Sequence, residues 1–146
     1  MSRTHKEEKS LVAHDAIQTA RTSLDVCMGK DGFLDAFYTR LMDSSEAVRD
    51  KFRDTDFEKQ KEVLRNSLYL MLVAAGTHSG PAHEQLKHVG HIHNRGHRDI
   101  SPALYETWIL CLMETVQEFD PNYTPELERD WRAALKPGIE LLTSLY

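Results

Sequence analysis

An all-helical fold is predicted by two features of this sequence. Apolar residues recur at spacings of three and four almost throughout, and no segment sustains a period-two alternation bounded by hairpin turns. A third feature agrees: Pro81, Pro102 and Pro125 each stand where a first helical position is expected, behind Gly80, Ser101 and Thr124, and the last two are good N-caps. The 146 residues suit one domain spanning 1–146, with 1–8 as a flexible extension. Such a domain buries roughly two thirds of its unfolded surface without a disulfide or metal staple.

The first helix is expected from about Lys6 to Leu24, with Leu11, Val12, Ile17, Ala20 and Leu24 on one side, and "MGKDG" (28–32) interrupts it. "FLDAFYTRLMD" follows as a second helix. "DSSE" (43–46) has the spacing of a capping box and opens a short third helix that ends near "KFRDTD". Thr55 and Glu58 offer another box, starting a fourth helix from Asp56 to Ala75 with Phe57, Gln60, Leu64, Leu68, Met71 and Ala75 on one face. "GTHSGP" stops it. Three further helices are expected, from Pro81 to Arg95, Pro102 to Phe119 and Pro125 to Leu145, the last kinked at Pro137 because proline removes a hydrogen bond and crowds the preceding turn.

Charge and composition exclude some functions. The formal net charge is -5 and the basic residues are scattered, so the electrostatic footprint of a nucleic-acid binder is missing. No run approaches the roughly 18 apolar residues of a membrane span, and the polar opening "MSRTHKEEKS" lacks the apolar core of a secretory signal. A soluble, cytoplasmic protein, monomeric or homodimeric, is expected. Cys27 and Cys111 each lie in an apolar or helix-like stretch and read as small buried hydrophobes in a reducing compartment.

The segment "LKHVGHIHNRGH" (86–97) concentrates His88, His91, His93 and His97. At 100° per residue, His88 and His91 point about 140° and 160° away from His93, so these three cannot share one ligand site on one helix. His93 and His97 share a face, but no cysteine or upstream carboxylate motif completes a tetrahedral zinc set. His5, His14, His78 and His83 read as surface or satisfied side chains.

"FYTRLMDSSEAVRDKF" (37–52), "QKEVL" (60–64), "LKHVGHIH" (86–93), "PALY" (102–105) and the late "DW" (130–131), taken in order, resemble the bacterial globins, including the haem domain of flavohaemoglobins. The resemblance covers nearly the whole chain after about residue 10 and implies a globin fold, a three-over-three helical sandwich around a haem b. It implies that Tyr38 and Gln60 face the gas-binding side of the haem, that Phe52 packs on the porphyrin, and that Leu64 and Val89 belong to the haem-lining core. The proximal pattern Leu-x-x-Leu-Gly-x-x-His is reproduced with Val89 in place of the second Leu, which selects His93 as the iron ligand, and Tyr105 matches a position close to that ring. The stretch from His93 to Pro102 is about two residues longer than in relatives, which makes His97 a rival ligand. Trp108 stands where flavohaemoglobin-like chains are usually aliphatic and many truncated haemoglobins carry Trp; it is either a third donor to a bound gas or plain packing.

A neutral imidazole supplies one axial ligand without adding charge, and a hydrogen bond on its second nitrogen fixes the ring and tunes its basicity. A donor to bound oxygen, which carries partial negative charge, is worth about 1.5–3 kcal/mol in a dry pocket. Tyr38 and Gln60 are therefore apt for oxygen retention, and the expected gases are O2, NO and CO. Retained oxygen can convert nitric oxide to nitrate, and turnover then needs a separate reductase. Two other readings are a haem-based gas sensor acting through a signalling partner, and a haem-free globin-like interaction domain.

Overall fold

The computed structural model describes residues 12–93 and 100–146. The described residues form seven helices and no strand: α1 (His14–Met28), α2 (Phe33–Ser44), α3 (Glu46–Lys51), α4 (Phe57–Ala75), α5 (Pro81–His93), α6 (Pro102–Phe119) and α7 (Pro125–Ser144). The expectations on Lys6–Leu11, on Arg95 and on His97 lie outside the described residues. α7 is the hub of the packing, with α1, α4 and α5 laid against it, while α2 lies against α6 and α3. No helix among the described residues is long and apolar enough to cross a membrane.

The three prolines open α5, α6 and α7 where the sequence places them. Thr124 caps α7 by accepting from the Leu127 N–H, whereas Ser101 makes no side-chain cap bond. Two caps differ from expectation. Asp56, not Thr55, caps α4, its carboxylate accepting from the Glu58 and Lys59 N–H groups. Ser45, not Asp43, caps α3, because the extended backbone at Ser45 aims its hydroxyl at the Val48 N–H. In both cases the residue directly before the first helical turn wins, since only it reaches the orphan donors of that turn.

α1 runs past Leu24 to Met28, because Ala20, Ser23, Leu24 and Cys27 continue one buried stripe, and it stops at Gly29. α7 continues through Pro137 to Ser144. The next residue, Gly138, marks a close crossing: a Cβ there would lie 2.8 Å from Met71 Cγ on α4. Gly90 plays the same part on α5, where a Cβ would lie 2.6 Å from Leu145 Cδ1 just beyond α7. The core between the helices is led by Trp131, Phe33, Phe37, Leu24 and Leu68, each of the apolar side chains stabilising the fold by about 1.5–3 kcal/mol when buried. Cys27 and Cys111 are free and buried; burial pushes the Cys27 thiol up to about 12 and the Cys111 thiol upward, so both act as small apolar groups.

Candidate functional site

α5 ends on His93, whose ring is half-buried. Its Nδ1 lies 3.0 Å from the hydroxyl of Tyr105, one turn into α6. Tyr105 is 8% exposed, and burial pushes its phenol up to about 12, so it keeps its proton across the physiological range. Gly90, one turn before His93, is what lets α5 approach the end of α7 at Leu145. The glycine in "LKHVGHIH" thereby has a packing reason. His88 and His91 are exposed, and among the described residues no three His, Cys, Asp or Glu side chains gather to hold a metal ion. His93 can offer an imidazole ligand held from its other nitrogen.

A second cluster forms around Tyr38 on α2. Its ring meets Phe37, Phe52 and Phe57 edge-to-face, with centroids 5.1, 6.0 and 5.4 Å away. Phe52 and Phe57 stack at 6.1 Å. Such pairs contribute roughly 0.5–1.5 kcal/mol each beyond their burial. The Tyr38 hydroxyl donates to the main-chain carbonyl of Gln60 at 3.4 Å, well beyond the usual span of O–H···O bonds. Burial raises this phenol to about 12, the side-chain amide of Gln60 offsetting only part of the shift, so Tyr38 is a protonated donor at neutral pH.

Of the residues predicted for the site, Tyr38, Gln60 and Phe52 are brought together, and so are His93 and Tyr105. Gln60 meets Tyr38 through its backbone carbonyl, and its side-chain amide also lies close enough to act on the phenol. Trp108 is half-buried and packs edge-to-face on Phe37 at 6.1 Å, one turn along α6 from Tyr105, so α6 links the two clusters. Leu64 is buried and Val89 packs against the core. Val89 also lines, with Val63, Ser67, Leu70 and His88, a groove of about 450 Å³ between α4 and α5. Val63 is 46% exposed there.

Phe57 and Phe37 were not singled out for the site by their sequence pattern. The signal for Phe57 was its place one turn before Gln60 on the same helix face; Phe37, beside Tyr38, carried no signal separable from core packing.

A crystal structure of a Pseudomonas aeruginosa protein, described as structurally highly homologous to a human haemoglobin, matches this chain with a TM-score of 0.84. The two are 32% identical, and the match covers 90% of this chain and 98% of that one. The helical arrangement is thus a globin fold. The chain belongs to the globin family. No family model matches the sequence, and no curated protein does.

Proposed function

We propose that this globin binds a haem b through His93 and takes up diatomic gases reversibly, with Tyr38 and Gln60 on the gas-binding side. The observation that supports it most directly is the 3.0 Å contact between His93 Nδ1 and the Tyr105 hydroxyl. An axial imidazole uses one ring nitrogen for the metal and is oriented by a hydrogen bond on the other. The donor chemistry fits the group, a half-buried imidazole with one ring nitrogen held at a buried phenol.

When bound, the haem would supply an iron with one coordination position left for O2, NO or CO. The remaining roles fall to the chain. His93 would hold its Nδ1 proton toward the Tyr105 oxygen. Phe52 and Phe57 would keep water from the Tyr38 hydroxyl, and Tyr38 would offer its proton to a gas carrying partial negative charge. The resemblance of this residue set to that of flavohaemoglobins supports oxygen retention and, given an external reductase, nitric oxide consumption.

Absorption spectra of the purified protein after haem addition test the reading, in ferric and ferrous states with and without carbon monoxide. A Soret band that shifts with carbon monoxide is expected in the wild type and absent in His93→Ala. A wild-type protein that acquires no Soret band overturns the proposal. A spectrum kept in His93→Ala but lost in His97→Ala moves the ligand to His97. Oxygen-dependent nitric oxide consumption, sustained when a reductase is added, is the expected activity.

A further inference from the structure

We propose that Lys61 is a positioning residue for the gas-binding side, an ionic latch that holds the N-terminal turns of α4 against α2. Its effect on gas binding rests on the haem reading above; the latch itself does not.

Lys61 Nζ lies 2.8 Å from Asp35 Oδ1 on α2 and 2.8 Å from Glu58 Oε1 on its own helix. The Lys61 side chain is 19% exposed, while those of Asp35 and Glu58 are 66% and 87% exposed. A lysine free to extend into water would not show that asymmetry. Here the aliphatic stem lies along the protein surface and the ammonium is delivered to two carboxylates. The neighbouring Lys59, with the same chemistry, is exposed.

The placement gives the latch its consequence. Asp35 is one helical turn before Tyr38, and Lys61 directly follows Gln60. The ion pair therefore spans the two helices one turn from the point where the Tyr38 hydroxyl reaches the Gln60 carbonyl. α2 and α4 do not pack backbone against backbone as α2 and α6 do, so their spacing at this point is set by side chains. The 3.4 Å bond from Tyr38 is too long to set it firmly. The contact between Tyr38 and Phe57 is apolar and tolerates sliding. The bridge from Lys61 to Asp35 is the short polar tie among these contacts. Loss of the tie lets the first turns of α4 move relative to Tyr38, and with them the donor geometry offered to a bound gas.

Partly exposed ion pairs are weak, so the expected effect on the oxygen dissociation rate of the haem-loaded protein is about two- to fivefold. Lys61→Met is expected to release oxygen faster by that factor at low salt. The difference from wild type should shrink markedly near 1 M salt, where screening acts over roughly 3 Å. Lys61→Arg and the charge swap Asp35→Lys/Lys61→Asp should restore slow release. Arg132→Met, which breaks an ion pair within α7, should leave it unchanged. A Lys61→Met rate equal to wild type at low salt overturns the latch, and so does an increase that persists undiminished at high salt, which would assign the effect to the stem. Amide hydrogen exchange in the first two turns of α4 supplies a readout that needs no haem. Exchange there should be faster in Lys61→Met, and the excess over wild type should be larger at low salt than at about 1 M. Failure of the wild type to take up haem, with this exchange signature present, would count against the haem reading and leave the latch standing; an unchanged exchange pattern overturns the latch.

Discussion

Tyr38 and Tyr105 are the same residue in similar burial, 6% and 8% exposed, and burial holds both phenols near 12. Their partners differ. Tyr105 faces an imidazole at 3.0 Å, while Tyr38 reaches a helix carbonyl at 3.4 Å. The first contact joins side chains on α5 and α6, and α5 is itself braced against the end of α7 through Gly90. The second lies between helices joined by aromatic edges and an ion pair. A carbonyl already serving its helix loses little when a long bond to it is broken, so Tyr38 can turn its proton to a ligand at small cost. The same burial that keeps both hydroxyls protonated thus yields a fixed partner on one side and an exchangeable donor on the other.

The largest effect is expected where the donor is exchangeable. Tyr38→Phe removes the hydroxyl and keeps the ring among Phe37, Phe52 and Phe57. Oxygen dissociation, followed by stopped-flow absorbance, should accelerate by about ten- to a hundredfold, corresponding to about 1.5–3 kcal/mol. Carbon monoxide, which carries less charge, should respond much less. Equal responses of the two gases would show that Tyr38 acts by bulk and not as a donor.

Gly90→Ala probes the braced side. The added methyl meets Leu145 at 2.6 Å from Cδ1 and 3.3 Å from Cβ, so the Leu145 side chain must turn and the end of α7 must give by a few tenths of an ångström. A loss of roughly 1–3 kcal/mol in denaturant unfolding is expected. Leu145→Ala in the same chain should recover part of it, and a double variant no more stable than Gly90→Ala alone would locate the strain elsewhere.

An alkaline titration treats the two phenols as a pair. Their pKa values rise from 10.0 to about 12 in the folded chain, so the folded state holds phenolic protons that the unfolded state releases between those values. Their contribution to stability is fully present below pH 10 and declines as the pH climbs toward 12, by about 2 kcal/mol for each phenol. Tyr38→Phe/Tyr105→Phe should flatten that part of the stability profile. An unaltered slope would assign it to other groups, such as Tyr69 or the thiol of Cys27, both of which are also raised.

These contrasts also mark what the sequence made legible. Helix starts at Pro81, Pro102 and Pro125 could be read because proline's missing N–H is tolerated there and few other places. The pairing of His93 with Tyr105 followed from a family pattern across twelve residues. The choice of Asp56 over Thr55 as cap did not, since adjacent acceptors differ only in a backbone angle that spacing leaves open. Lys61 and Phe57 were out of reach for another reason. Their contacts to Asp35 and Tyr38 depend on how α4 is rotated against α2, and one lysine beside Gln60 looks much like the other until that rotation is known.

The smallest effect falls on the fixed partner. Tyr105→Phe leaves the ring in place and removes the oxygen facing His93 Nδ1. One hydrogen bond between uncharged groups is worth about 1 kcal/mol, and the imidazole would lose that much restraint and some basicity. In the haem-loaded protein the iron–histidine stretching band in Raman spectra should move to lower frequency, and the reduction potential should rise as the ligand donates less. Oxygen dissociation should change by no more than a few fold, far less than in Tyr38→Phe. A Tyr105→Phe variant whose Raman band stays put while its oxygen release accelerates as strongly as that of Tyr38→Phe would erase the distinction between the two phenols, because it would place both on the gas-binding side.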